Sequence, residues 1–152
     1  MVQAGAEEAF FRGWLQPVLA ARWGPWVGLL TASLVFAAAH AAAAALSAHA
    51  LGPVAWINDT LAGLAFGLLA LRTGGLAAPV AAHWAWNWTE ASVVGATPNP
   101  GVDPLGSLFD LDLVGAGWLT GGPDEMNGSL CASVALLGLI ACAAAWRPGK
   151  RG

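Results

Sequence analysis

Glu7 and Glu8 stand side by side, with Arg12 close behind, in a segment that is otherwise apolar through Ala9, Phe10, Phe11, Trp14, Leu15, Val18 and Leu19. On a helix, Glu8 and Arg12 are four apart and share a face, so they can pair. Glu7 lies ~100° round the axis and is left over. Three more polar residues interrupt apolar stretches: His40, His83 and Asn87. His83 and Asn87 are again four apart and project from one helical face. A spare carboxylate, two imidazoles and an amide form a set that can activate a water and stabilise an oxyanion. Charge in lipid is costly without a role and a partner, so these residues need a reason.

The elements that must position them are apolar helices. The chain has 152 residues, 57% of them hydrophobic and 10% charged, with mean hydropathy +0.62. A soluble domain has about 25% charged residues. The composition is that of an all-α, polytopic membrane bundle, expected to be one domain over 1–152 with about five transmembrane helices. Strand-period alternation is absent, and small residues such as the Ala runs at 37–39 and 41–45 let helices approach closely. Segment one runs from about 2 to 21, and Arg22, Gly24 and Pro25 separate it from segment two, 25 to about 46. No charged residue occurs between Arg22 and Asp59, but Gly52-Pro53 divides that run into two spans. Segment three is expected over about 54–71 and segment four over about 76–94. A polar connection, about 95–127, carries five acids and no Lys or Arg, and the last helix is expected at about 128–146.

Several function classes are disfavoured. Six Lys and Arg in a chain of net charge −3 form no basic patch, so no nucleic-acid partner is expected. No secretory signal precedes Glu7. Cys131 and Cys142 lie eleven residues apart on one helix, ~16 Å, beyond disulfide reach, and read as packing residues. Trp23, Trp26 and Trp56 near segment ends suit interfacial anchoring. Arg22, Arg72 and the group Arg147, Lys150 and Arg151 mark every second loop, which places the C-terminus in the cytoplasm and the Glu7 end outside.

Each polar residue also has a structural reading. Glu8–Arg12 can be an ion pair only, Asn87 can hydrogen-bond between helices, His49 reads as a packed, hydrogen-bonded loop residue, and Glu90 as interfacial. Asn58 and Asp59 read as caps of segment three, with Asp59 close enough to its end to be solvated. Convergence favours function. Glu7 opens one helix and His40 closes the next, so an antiparallel hairpin brings them to one side. The four side chains are expected within ~10 Å of each other, the scale of a small pocket. A zinc site from Glu7, His40 and His83 is the rival chemistry, without a His-Glu-x-x-His signature. No Gly-x-Ser-x-Gly elbow supports a serine nucleophile, and Ser33, Ser47 and Ser92 have no spacing to a base.

Taken in order, Glu7-Glu8-x-x-x-Arg12, Phe36-x-x-x-His40 and His83-x-x-x-Asn87 resemble the motifs of the CPBP family, the CAAX prenyl endopeptidases and bacteriocin-processing enzymes also called Abi or Rce1-like. Phe66-Gly67-Leu68, Arg72-Thr73-Gly74 and Pro79 extend the likeness, which covers roughly 7–87. The resemblance implies an all-helical intramembrane endopeptidase, an integral protein of a bacterial plasma membrane, acting on a peptide or protein substrate amid lipid. It implies Glu7 as general base on a water, His40 orienting that water, His83 and Asn87 lining the oxyanion hole, and Glu8 and Arg12 in support. It implies no cofactor, with a zinc-dependent version as runner-up. The CAAX-processing relatives act on cytoplasmic substrates, opposite to the side that the charge bias gives the Glu7 end. Helices that precede the first motif in the family are expected to be missing, because Glu7 follows Met1 so closely. The alternative is a non-catalytic immunity or scaffold protein that keeps the fold.

Overall fold

The structure is a computed structural model that describes residues 2–95, 107–109, 111 and 113–146. The chain begins with α1 (Val2–Phe10), passes through a π-helical segment (Phe11–Leu15) and continues as α2 (Gln16–Trp23). Then come α3 (Pro25–Leu46), α4 (Pro53–Thr73) and α5 (Ala77–Trp88), the last prolonged by a second π-helical segment (Thr89–Val94). A short α6 (Gly117–Thr120), a 3₁₀ segment (Gly122–Gly128) and α7 (Leu130–Ala145) complete it. The described residues contain no strand. Among the described residues three helices are long and apolar enough to cross a membrane: Pro25–Leu46, Pro53–Thr73 and the run Gly122–Ala145. The chain is thus a helical membrane bundle, with three spans by this criterion where five are expected. The run 2–23 carries four charged side chains, and the run 77–94 is twelve residues of α-helix with a π-helical end.

Turn chemistry sets the hairpins. Gly24 adopts φ 91° between α2 and α3, and Pro25 opens α3 where a missing N–H costs nothing. A Cβ at Gly28 would lie 2.8 Å from the Ala20 nitrogen and the Gln16 carbonyl, so this glycine lets the two helices touch backbone to backbone. The same holds between α3 and α4, where a Cβ at Gly63 would lie 2.8 Å from Cα of Ser33. α4 is the central element, packing on α3, α5 and α7.

Asn58 and Asp59 do not cap α4. Gly52 is its N-cap, and both side chains are buried one to two turns in. Asn58 donates to the carbonyls of Asn127 and Ser129 at 2.7 and 2.9 Å and accepts from Ser133 Oγ at 2.7 Å. It fastens the start of α7 to α4. At the other end Arg72 donates to the Ala144 carbonyl. Glu90 is also buried. Cys131 and Cys142 are exposed on α7, so they face outward from the bundle and are not packing residues. His49 is hydrogen-bonded as expected, with its Nε2 2.8 Å from Asp124 Oδ1. Asp124 also accepts from the Gly52 N–H, which ties the 3₁₀ segment to the α3–α4 loop. Arg147, Lys150 and Arg151 lie outside the described residues, as do 96–106 of the acidic connection.

The contact at Gly63 gives a paired test. Gly63→Ala forces a methyl into the Ser33 backbone and is expected to cost about 1–3 kcal/mol. Gly138→Ala meets open space on α7 and is expected to stabilise by about 0.5–1 kcal/mol. Thermal unfolding in detergent checks both; equal effects would mean that α3 and α4 are not in close contact.

Candidate active site

Among the described residues Glu8 is the most deeply buried charge, with no solvent exposure. Its Oε1 accepts from Arg12 Nη1 at 3.0 Å and from His83 Nδ1 at 2.8 Å. The ion pair inferred from spacing is therefore present, and it has a third member from α5. Arg12 is buried as well. Its Nη2 donates to the Gly63 carbonyl at 3.0 Å, and its guanidinium carbon lies 4.6 Å from the centre of the Phe36 ring, with Phe11 and Phe66 at 5.6 and 5.7 Å. A cation among aromatic faces in a dry interior retains favourable electrostatics. Gln16, one turn further, donates to the Gly67 carbonyl at 3.1 Å.

Glu7 faces elsewhere, as its ~100° offset from Glu8 requires. Gln3 Nε2 donates to its Oε1 at 2.9 Å. Its Oε2 is buried without a hydrogen-bond partner, 3.9 Å from His40 Nε2 and 3.8 Å from His83 Nε2. Both separations are too long for direct hydrogen bonds and of a size that a bridging water fills.

The two imidazoles are aimed by their other nitrogens. His40 Nδ1 lies 3.0 Å from the Phe36 carbonyl, which can only accept, so Nδ1 carries the proton. His83 Nδ1–H donates to the Glu8 carboxylate. Each ring therefore presents Nε2 toward Glu7, and a hydrogen bond on one nitrogen fixes what the other can do. Aromatic contacts hold the planes. Phe66 stacks on His83 with ring centres 4.8 Å apart and 13° between planes, and Phe36 lies 4.3 Å from His40. Asn87 sits one turn beyond His83 on α5, half-buried. Among the described residues no hydrogen bond ties it to Glu7, His40 or His83. Three of the four candidate residues are thus gathered round one carboxylate oxygen, and Asn87 borders them on the same helix as His83.

Spacing does not reveal everything. The second role of Glu8, as acceptor for His83, links residues 75 apart and leaves no local signal. Gln16 continues the series Glu8, Arg12 at the next four-residue step, a signal available in the sequence. Ser33 donates to the Leu29 carbonyl of its own helix at 2.8 Å and is buried.

Zinc ligands in a tetrahedral site stand about 3.3 Å apart. Glu7 Oε2 stands 3.9 and 3.8 Å from the two Nε2 atoms, about half an ångström wider, and the described residues contain no cluster of three His, Cys, Asp or Glu in metal-holding geometry.

The buried pair has a measurable consequence. Arg12→Ala leaves the Glu8 charge without its cation and is expected to cost about 3–5 kcal/mol, read as loss of folded yield. The double variant Glu8→Leu with Arg12→Met removes both charges and is expected to recover much of that yield. Full yield from Arg12→Ala alone would mean that the pair does not carry the fold.

Comparison with known proteins bears on what this arrangement is. No curated protein and no solved structure matches the chain. A family model described as type II CAAX prenyl endopeptidase Rce1-like matches residues 1–89, more than half of the chain. The match spans Glu7, Arg12, Phe36, His40, His83 and Asn87, the residues that meet around the Glu8–Arg12 pair and those that border it. By that match, the chain belongs to the Rce1-like type II CAAX prenyl endopeptidase family, a family of peptidases.

Proposed function

We propose that this protein is an intramembrane endopeptidase that hydrolyses a peptide bond near the membrane surface with a water activated by Glu7. The observation that carries the reading is the unpaired, buried Glu7 Oε2 facing two imidazole Nε2 atoms at 3.8 and 3.9 Å.

The chemistry follows from the tautomers. A water in that gap donates one hydrogen to Glu7 Oε2 and the other to His40 Nε2, whose lone pair is free because Nδ1–H is held by the Phe36 carbonyl. Its own lone pair then points away from both, toward a scissile carbonyl. On attack, the C–O bond forms, the carbonyl π electrons move to oxygen, and Glu7 takes the water's proton. The Asn87 amide, one turn from His83, donates to the oxyanion, beside the His83 ring that Glu8 holds by its Nδ1–H. On collapse the C–N bond breaks and Glu7 returns its proton to the leaving amine. No step passes through a metal.

Glu7 is half-buried while Glu8 has no exposure, which separates an accessible acid from a structural one. That division supports catalysis over a scaffold role, since a scaffold needs only the Glu8–Arg12 pair. The compartment we propose is a bacterial plasma membrane, and the substrate class is a membrane-adjacent peptide segment.

Glu7→Gln keeps the size of the side chain and removes the base. In membranes carrying equal amounts of protein, cleavage should fall about 10²- to 10⁴-fold, read by comparative peptidomics of wild-type and variant cells. An unchanged peptide profile would leave the scaffold reading standing. The purified protein should contain no stoichiometric zinc by elemental analysis. Activity lost to a chelator and restored by zinc would replace the proposed water activation with a metal-bound one.

A further inference from the structure

Gln16 is 3% exposed, two turns from the Glu7–His40–His83 centre, and makes one hydrogen bond, Nε2–H to the Gly67 carbonyl. Its Oε1 is buried with no partner. An orphaned amide oxygen in a dry interior is unfavourable, and an apolar side chain of the same shape would avoid that penalty. Stability alone therefore does not account for an amide here. What the amide provides, and an apolar group lacks, is direction.

The direction matters because of what lies on the same face. Glu8, Arg12 and Gln16 follow one another at four-residue steps, and their partners on α4, the Gly63 and Gly67 carbonyls, are also four apart. In a regular α-helix, residues four apart drift ~40° round the axis at each step. Two steps would turn Gln16 ~80° away from Glu8. The π-helical segment Phe11–Leu15 contains Arg12 and ends just before Gln16. Its wider turn holds more residues, so the step from Arg12 to Gln16 winds back where an α-helix would wind on. Both donors consequently reach α4. The glycines complete the fit: a Cβ at Gly67 would stand 2.7 Å from Gln16 Oε1 and 2.5 Å from Leu29 Cδ1. Two hydrogen bonds one turn apart fix both the slide and the rotation of the first helical run on α4, which a single bond does not do. Were the run to slip by one turn, Glu8 would face a carbonyl and lose its His83 donor, while Arg12 would move with it.

We propose that Gln16 is a positioning residue for the candidate active site: through the Gly67 carbonyl and the π-helical segment it sets the rotation of α1, and with it the direction of Glu7 and the Glu8–His83 hydrogen bond. This rests on the peptidase reading for its catalytic meaning, but its geometric content can be read without activity.

The test uses the full chain in lipid nanodiscs with ¹⁵N-labelled histidine; the three histidines give three ring environments. Glu8→Gln assigns the His83 Nδ1–H signal. Gln16→Met keeps the shape and removes the donor. It is expected to move the His83 Nδ1–H signal upfield and, in the cleavage assay, to lower kcat by about 10- to 100-fold at unchanged KM. Asn58→Leu, which removes the hydrogen bonds that fasten α7 to α4, is the comparison for simple destabilisation and should lower the Tm without moving that signal. A Gln16→Met protein with a lowered Tm and an unmoved His83 signal would overturn the proposal. If the Met variant does not accumulate, Gln16→Asn, one methylene shorter, carries the same comparison: a displaced signal supports the proposal and an unmoved one overturns it. A displaced signal in a protein with no peptidase activity would uphold the positioning role and sink the peptidase reading instead.

Discussion

One carboxylate oxygen organises this molecule. Glu8 Oε1 accepts from Arg12 and from His83 at the same time, with no solvent contact. A buried anion needs both charge compensation and hydrogen bonds. Arg12 supplies the charge from the same helix and His83 supplies the second hydrogen bond from α5. The arrangement of three helices follows. α1 and α5 must approach closely enough for a 2.8 Å contact, and α4 must present the Gly63 carbonyl to the other side of the guanidinium. Removing any one member leaves a charge or a donor stranded in an apolar medium. The candidate site is therefore not an addition to a finished fold; its support is part of what holds the helices in place.

The same requirement explains the composition of α4. Its glycines at 63 and 67 expose backbone carbonyls to donors on the first helical run and let α3 come within backbone contact. Its polar residue Asn58 is spent on α7, and its last-turn Arg72 on the far end of α7. In lipid, close packing and interhelical hydrogen bonds replace the hydrophobic drive that assembles soluble helices. α4 uses both, and its apolar side chains Ala65, Phe66 and Leu68 fill what remains. Phe66 then does two jobs, since the ring that packs the core also sets the plane of His83.

Much of this was legible in the chain. Helix boundaries followed from Gly24-Pro25, Gly52-Pro53 and Gly74-Gly75, because glycine and proline act locally. The i,i+4 pair Glu8–Arg12 was legible for the same reason, and so was the separation of Glu7 from it. Convergence of Glu7 with His40 followed from hairpin logic, and the three motifs marked the family before the comparison did. Residues whose roles depend on distant partners were misread. Asn58 has the chemistry of a cap, but its partners are 69 and 71 residues away on the approach to α7. Cys131 and Cys142 are small enough for a core, yet they fall on the outward face, because which side of an all-apolar helix is buried depends on its neighbours and not on its own pattern.

By itself, then, the sequence determined what is local or compositional: helices, their ends, the shortage of charge that makes them a membrane bundle, and which acid is paired within its own helix. Only the tertiary structure decided which atoms meet. It gave Glu8 a second donor 75 residues away, left Glu7 Oε2 bare between two imidazole nitrogens, and set Gln16 on Gly67 through a π-helical turn that no spacing rule forecasts. The physical reason is that hydrogen-bond direction and tautomer are properties of pairs. A histidine in a sequence has two equivalent chances to donate, and it acquires one fixed proton and one aimed nitrogen only when the fold puts a carbonyl or a carboxylate against the other side of the ring.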